Sequence, residues 1–92
     1  MPPCVARDVR RLQAVSALLV GLPQTPQIAF ARQQVDELIL DLSGECVNVA
    51  TMAMCYVNMS EVLVSLSQFA PGNEAASSII RREFFRQQEV RH

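Results

Sequence analysis

The sequence predicts an all-α fold of three helices with a long central helix, arranged as an elongated helical hairpin or bundle that assembles with a second chain. The first observation behind this prediction is the composition. Half of the 92 residues are apolar, but only 5% are aromatic and three are glycine. Such a composition suits helix packing better than a β-sheet protein, which needs many tight turns.

The second observation is an apolar repeat through the middle of the chain. Every third or fourth position is apolar or aromatic, with one glutamate as the exception: Ile28, Ala31, Val35, Leu38, Leu42, Glu45, Val49, Met52, Tyr56, Met59, Leu63 and Leu66. This spacing places one stripe along one side of an α-helix and presents it to another helix.

The first helix is predicted over about four turns near the N-terminus. Its apolar positions include Val5, Val9, Leu12 and Leu19. The opposite side carries Arg7, Asp8, Arg10, Arg11 and Gln13. This is the pattern of an amphipathic helix. A glycine and a proline at 21 and 23 end it.

The central helix is predicted to begin at Thr25, as N-cap, with Pro26 in the first helical position. The stripe then runs to about Phe69, where Pro71 and Gly72 stop it. Gly44 is ambiguous, because a glycine inside a helix costs about 1 kcal/mol relative to alanine and could mark a turn. Since the stripe keeps its phase across this position, we predict one continuous helix.

The third helix is predicted to begin near Asn73, with Glu74 in its first turn. It carries Ala76, Ile79, Ile80, Phe84 and Phe85 towards the C-terminus. The last residues contain no helix stop signal. We therefore interpret residues 1–92 as a single helical interaction domain that could be the N-terminal part of a longer protein.

The length of the central helix predicts a second chain. From Ile28 to Leu66 it would span about 60 Å at 1.5 Å per residue, whereas a globule of this size is about 30 Å across. We therefore predict a protein-protein interaction and assembly module, a homodimer or an obligate subunit of a larger complex, paired in parallel or antiparallel. The predicted contact residues are Leu42, Val49, Met52, Tyr56, Met59, Leu63, Phe84 and Phe85.

A second apolar surface accompanies the stripe after Gly44. Its members are Cys46, Val47, Ala50, Ala53, Met54, Val57 and Val64. A helix that is apolar around most of its circumference is normally buried on several sides. The segment is long enough to cross a bilayer, but Asn48, Asn58 and Glu61 would be costly in lipid, so we predict no membrane span.

Charged residues suggest contacts within the chain. If the first helix folds back, Arg7, Arg10 and Arg11 come near an acidic group formed by Asp36, Glu37 and Asp41. Glu45 has two readings: it selects a partner by requiring an arginine opposite, or it lies solvated at the edge of the stripe.

The residues needed for catalysis or metal binding are sparse. The only histidine is the terminal His92, and Cys46 and Cys55 point in different directions on the predicted helix. The three glycines are isolated, so no phosphate-binding loop is indicated. We predict no enzyme activity, cofactor, metal or small-molecule substrate.

The alternative function is nucleic-acid binding by a dimer. Two arginine clusters could contact phosphates: Arg7, Arg10 and Arg11, and then Arg81, Arg82 and Arg86. Acidic residues are interleaved with these arginines, and the net charge of the chain is −1. The sequence therefore favours a protein partner.

The cysteine pattern indicates an intracellular location, cytoplasmic or nuclear, in a reducing compartment. Three cysteines lie far apart without a CxxC pair. The N-terminal arginines and the apolar run that follows resemble a signal peptide, but Gln13 and Ser16 interrupt that run and argue against secretion.

Overall fold

The computed structural model describes residues 3–44, 47–69 and 72–85. In these ranges the backbone forms helices and no strand: α1 (Pro3–Val20), α2 (Pro26–Leu42), α3 (Val49–Gln68) and α4 (Glu74–Glu83). The predicted all-α class is confirmed. Glu45, Cys46, Pro71, Arg86 and His92, which carried expectations from the sequence, lie outside the described residues.

The predicted continuous central helix is wrong, because it is divided into α2 and α3. At the end of α2, the Ser43 N–H donates to the carbonyls of Ile39 and Leu40. A new helix then starts at Asn48, whose extended backbone and side chain cap α3 by accepting from the Thr51 N–H at 2.9 Å. Gly44 makes the interruption inexpensive, and the asparagine cap satisfies a backbone donor of the new helix.

The break makes the chain fold back on itself instead of extending. Each helix packs against the next along the chain, and α4 closes the bundle by packing against α1. The radius of gyration is 12.9 Å, close to the roughly 12 Å expected of a globular chain of this length. The elongated hairpin is therefore replaced by a four-helix bundle about two helices thick, with extents of 37 × 33 × 21 Å.

The core draws apolar side chains from all four helices. Its buried members are Val5, Val9, Leu12, Val15, Leu19, Ile28, Ala31, Val35, Leu38, Leu42, Cys55, Met59, Val62, Leu66, Ala76, Ile79, Ile80 and Phe84. The amphipathic pattern predicted for the first helix is confirmed, since the apolar side of α1 is the side that faces the core.

The predicted starts of two helices are confirmed, and they meet. Thr25 caps α2 by accepting from the Ile28 N–H at 3.1 Å, and its hydroxyl donates to Oδ1 of Asn73 at 2.7 Å. Asn73 precedes α4, is 1% exposed, and donates through Nδ2 to the Phe69 carbonyl at 3.1 Å. Gly72 makes the preceding turn with a φ of 104°, a conformation that favours glycine. The starts of α2 and α4 are thus joined by a buried polar contact.

Two methionines on α3 provide a test of this packing. We expect Met59→Ala to lower the free energy of unfolding by about 2–5 kcal/mol, because it opens a cavity in the core. Met59 is fully buried, whereas Met54 is 53% exposed, so Met54→Ala should change stability by about 0.5 kcal/mol or less. Urea unfolding followed by circular dichroism measures both. Equal effects of the two substitutions would mean that α3 is rotated relative to this description.

Candidate protein-interaction surface

The outward side of α3 is apolar from Val49 to Val57 and mixed beyond it, where Val64 has exposed polar neighbours. The helix buries Cys55, Met59, Val62 and Leu66. On the opposite side it leaves small and apolar residues in solvent, which we call the exposed α3 face: Ala50, Ala53, Met54, Val57 and Val64. Met54, Val57 and Val64 are 53%, 46% and 55% exposed. Glu61 is the only charged residue of α3.

The buried side of α3 differs from the stripe that the sequence indicated. Cys55 and Val62 are buried although neither belongs to the stripe, whereas Val49 belongs to it and is 83% exposed. The core therefore contacts one flank of the stripe. Because α2 and α3 are separate helices, α3 can adopt its own rotation about its axis. The positions buried on α2 therefore do not determine which side of α3 is buried.

The predicted contact residues are brought together, but mostly inside one chain. Leu42, Met59 and Phe84 are buried in the core of this chain. Met52, Tyr56, Leu63 and Phe85 are half-buried and pack against it. Among the predicted contacts, Val49 is the one with a largely exposed side chain. Their contact with a second chain stays a prediction. The residues of the exposed α3 face, which the sequence analysis assigned to a second apolar surface, are more exposed than most of the predicted contact residues.

A buried carboxylate connects α1 to α3. The Asp8 side chain is 1% exposed. The Tyr56 hydroxyl donates to it from 3.0 Å (Oδ1) and 3.1 Å (Oδ2). Arg7 Nε lies 3.3 Å and Arg11 Nη1 lies 4.0 Å from Oδ1. A buried charge is stable only when it is paired and hydrogen-bonded, and these three groups meet that condition. The sequence pattern placed Asp8 on the polar side of the first helix; that prediction is wrong, because Asp8 is buried where the Tyr56 hydroxyl and the arginines pair with it.

The ring of Tyr56 belongs to an aromatic cluster at the end of α4. Its centroid lies 4.9 Å from that of Phe84 and 6.3 Å from that of Phe85. The rings of Phe84 and Phe85 are 4.9 Å apart and nearly perpendicular. Such edge-to-face contacts add to the gain from burial. Tyr56 therefore links α3 to α1, which lies diagonally across the bundle, through its hydroxyl, and packs against the end of α4 through its ring.

The arginine clusters are partly neutralised by neighbouring acidic residues. The expected pairing of Arg7, Arg10 and Arg11 with the acidic residues of α2 does not occur among the ion pairs of the described residues, because the nearer and buried Asp8 takes Arg7 and Arg11. In the second cluster, Arg82 Nε lies 2.8 Å from Oε2 of Glu83. Nucleic-acid contact by these arginines stays a prediction.

The described side chains give little support to metal binding or thiol chemistry. Within residues 3–44, 47–69 and 72–85, no group of three or more His, Cys, Asp or Glu residues could hold a metal ion. Burial, followed by the charges of Asp8 and Asp41, raises the pKa of the Cys55 thiol to about 12. A thiol that stays protonated is a poor nucleophile and a poor metal ligand.

One helix in the described part of the chain has the length and composition to cross a membrane. It is α3, and 22% of its most apolar 18-residue window is buried in the bundle. A core helix of a soluble protein has the same length and composition.

Comparisons of the chain with protein-family models, curated proteins and solved structures found no match.

Removing the Tyr56 hydroxyl tests the contact between α1 and α3. We expect Tyr56→Phe to lower the free energy of unfolding by about 1–3 kcal/mol, because the buried carboxylate of Asp8 loses a donor. The double variant with Asp8→Asn completes a mutant cycle. If the two effects simply add, the hydroxyl and the carboxylate are not coupled in solution.

The same contact predicts an alkaline loss of stability. Burial and then the charge of Asp8 raise the pKa of Tyr56 above its ordinary value of 10.0. The folded chain therefore retains the phenolic proton more tightly, so this stabilisation is complete below pH 10 and lost as pH rises through the raised pKa. Tyr56 is the only tyrosine, so the absorbance of tyrosinate reports it directly. We expect its titration midpoint to fall on unfolding in urea; an unchanged midpoint would contradict the contact.

Proposed function

We propose that this chain is a helical protein-protein interaction module that assembles through the exposed α3 face, as a homodimer or as a subunit of a larger complex. The observation that carries the proposal is the distribution of residues on α3. A 20-residue helix has one side in the core and, on the other, apolar side chains in solvent with a single charge.

The spacing of the exposed α3 face suits a helical partner. Ala50, Met54, Val57 and Val64 follow a four- and three-residue repeat in which Glu61 fills the remaining position. A repeat of this kind docks into the grooves of another helix. Fully burying a valine or methionine side chain contributes about 1.5–3 kcal/mol. A few such residues supply the driving force for association. Single exposed apolar residues are common on protein surfaces, whereas a contiguous apolar patch indicates an interaction site.

A protein partner explains α3 better than a bilayer does. Its inward side already forms the core, and Tyr56 is bonded to Asp8. Insertion into lipid would break these contacts and place Asn58 and Glu61 in an apolar medium. The helix also contains no arginine or lysine that would attract an anionic membrane surface.

The test is the mass of the chain in solution. We expect the wild type to form a discrete oligomer in light scattering after size exclusion, and Val57→Glu with Val64→Glu to be monomeric, because two charges would be buried at the contact. The unfolding free energy of the monomer should be unchanged, since both residues face solvent.

Leu40→Glu is the matched control, because Leu40 on α2 is 73% exposed and lies outside the exposed α3 face. It should leave the mass unaltered. A double variant that retained the mass of the wild-type oligomer would contradict the proposal. A monomeric wild type would exclude the homodimer. The heteromeric form then requires a protein retained by the wild type and by Leu40→Glu, but lost by the double variant.

A further inference from the structure

A cavity open to solvent, with polar and apolar walls, lies between the C-terminal half of α3 and α4. Its volume is about 220 Å³, large enough to hold several water molecules. The cavity is lined by Leu66, Ser67, Glu74, Ser77, Ser78 and Arg81. Leu66 is 1% exposed. The cavity thus combines a buried apolar residue with three hydroxyls, a guanidinium and a carboxylate.

Ser77 is a nearly buried residue whose hydroxyl has no hydrogen-bond partner among the described residues. The residue is only 4% exposed, and no hydrogen bond involves its side chain. Among the described residues, the fully enclosed side-chain nitrogens and oxygens that lack a partner comprise only Arg32 Nε. Ser77 Oγ also lacks a partner but is not in that group, so it keeps some accessible surface. Ser77 is one of the residues that line the cavity. The neighbouring Ser67 differs, because its hydroxyl donates to the Leu63 carbonyl at 3.0 Å.

Arg81, an exposed residue, places a positive charge at the same cavity. It follows Ser77 and Ser78 by one helical turn, so the three side chains share one side of α4. The guanidinium forms no ion pair with the described residues, whereas Arg82, the next residue, pairs with Glu83. The donors of Arg81 are therefore free to bind a group that enters the cavity.

Glu74 opposes an anion and sets the position where one can bind. Its Oε1 accepts from the Gly72 N–H at 2.8 Å. It precedes Arg81 by two helical turns, or about 10 Å along α4. An anion in the cavity is therefore favoured at the end near Arg81 and Ser78, and the charge of Glu74 reduces its affinity.

We propose that this cavity binds an oxyanion, a phosphoryl or carboxylate group, that accepts hydrogen bonds from the Arg81 guanidinium and from the hydroxyls of Ser77 and Ser78. Charge-assisted hydrogen bonds from arginine to such groups are among the strongest in proteins. The bound group also gives Ser77 the partner that the chain itself does not supply.

The experiment is an NMR titration of the isotopically labelled chain with sodium phosphate, and separately with sodium acetate, at constant ionic strength set with sodium chloride. We expect saturable shifts of the Ser77, Ser78 and Arg81 amides, with a Kd in the millimolar range. Tighter binding of phosphate would assign a phosphoryl group, and tighter binding of acetate a carboxylate. Absence of saturable shifts with both anions would overturn the proposal.

Variants identify the groups responsible. Arg81→Gln should weaken binding by about tenfold, the loss of one charge-assisted hydrogen bond. Arg82→Gln is the matched control and should leave the Kd within about twofold, because its guanidinium is engaged by Glu83. Glu74→Gln should tighten binding, since it removes a repelling charge. Equal weakening by Arg81→Gln and Arg82→Gln would indicate diffuse attraction and overturn the site.

Two further variants separate this site from a fold defect and from the assembly surface. Ser77→Ala should weaken binding without lowering the free energy of unfolding, because it removes only an unpartnered hydroxyl. Unchanged binding would remove Ser77 from the site and contradict the proposal as stated. Val57→Glu alone, whose new charge lies nine residues before Leu66 on α3, should bind phosphate like the wild type, so failure of the assembly proposal and failure of the anion site are distinguishable.

Discussion

The buried carboxylate of Asp8 constrains the whole bundle through its contact with Tyr56. Without the phenolic donor, α1 would carry an under-partnered charge in the interior, which is costly. The contact requires α3 to face α1 with the side that bears Tyr56. That rotation places Met59 in the core and Val57 in solvent. The exposed α3 face is therefore a consequence of satisfying a polar group, since turning α3 to bury Val57 would separate Tyr56 from Asp8.

Local sequence signals predicted most of the fold, but the apolar repeat led to one wrong prediction, the continuous central helix. The capping threonine before α2 and the start of α4 at Asn73 were readable because they depend on nearby residues. The break after Leu42 was missed because an apolar repeat records only which positions in a helix are apolar. It does not reveal whether two segments belong to one helix. Asn48, three residues before Thr51, was the available sign of a new start, since its side chain caps α3.

The candidate surface was only partly predictable, for a related reason. The sequence indicates that α3 is apolar on two sides, but it does not show which side the rest of the chain covers. That depends on tertiary contacts, such as the packing of Phe84 against Tyr56. The cavity proposed to bind an anion was even harder to predict from the sequence. Ser67 and Arg81 come together only because α4 packs against α3, and the spacing of residues within one helix carries no such information.

The two proposed sites meet on one helix, which relates their energetics. Val64 belongs to the exposed α3 face, and Ser67, three residues later, lines the cavity. Residues three apart are neighbours on a helix surface. A partner that covers Val64 therefore lies beside the part of the cavity wall formed by Ser67. If an anion changes the affinity of assembly, assembly must change the affinity for that anion by the same factor, because the two equilibria share one thermodynamic cycle.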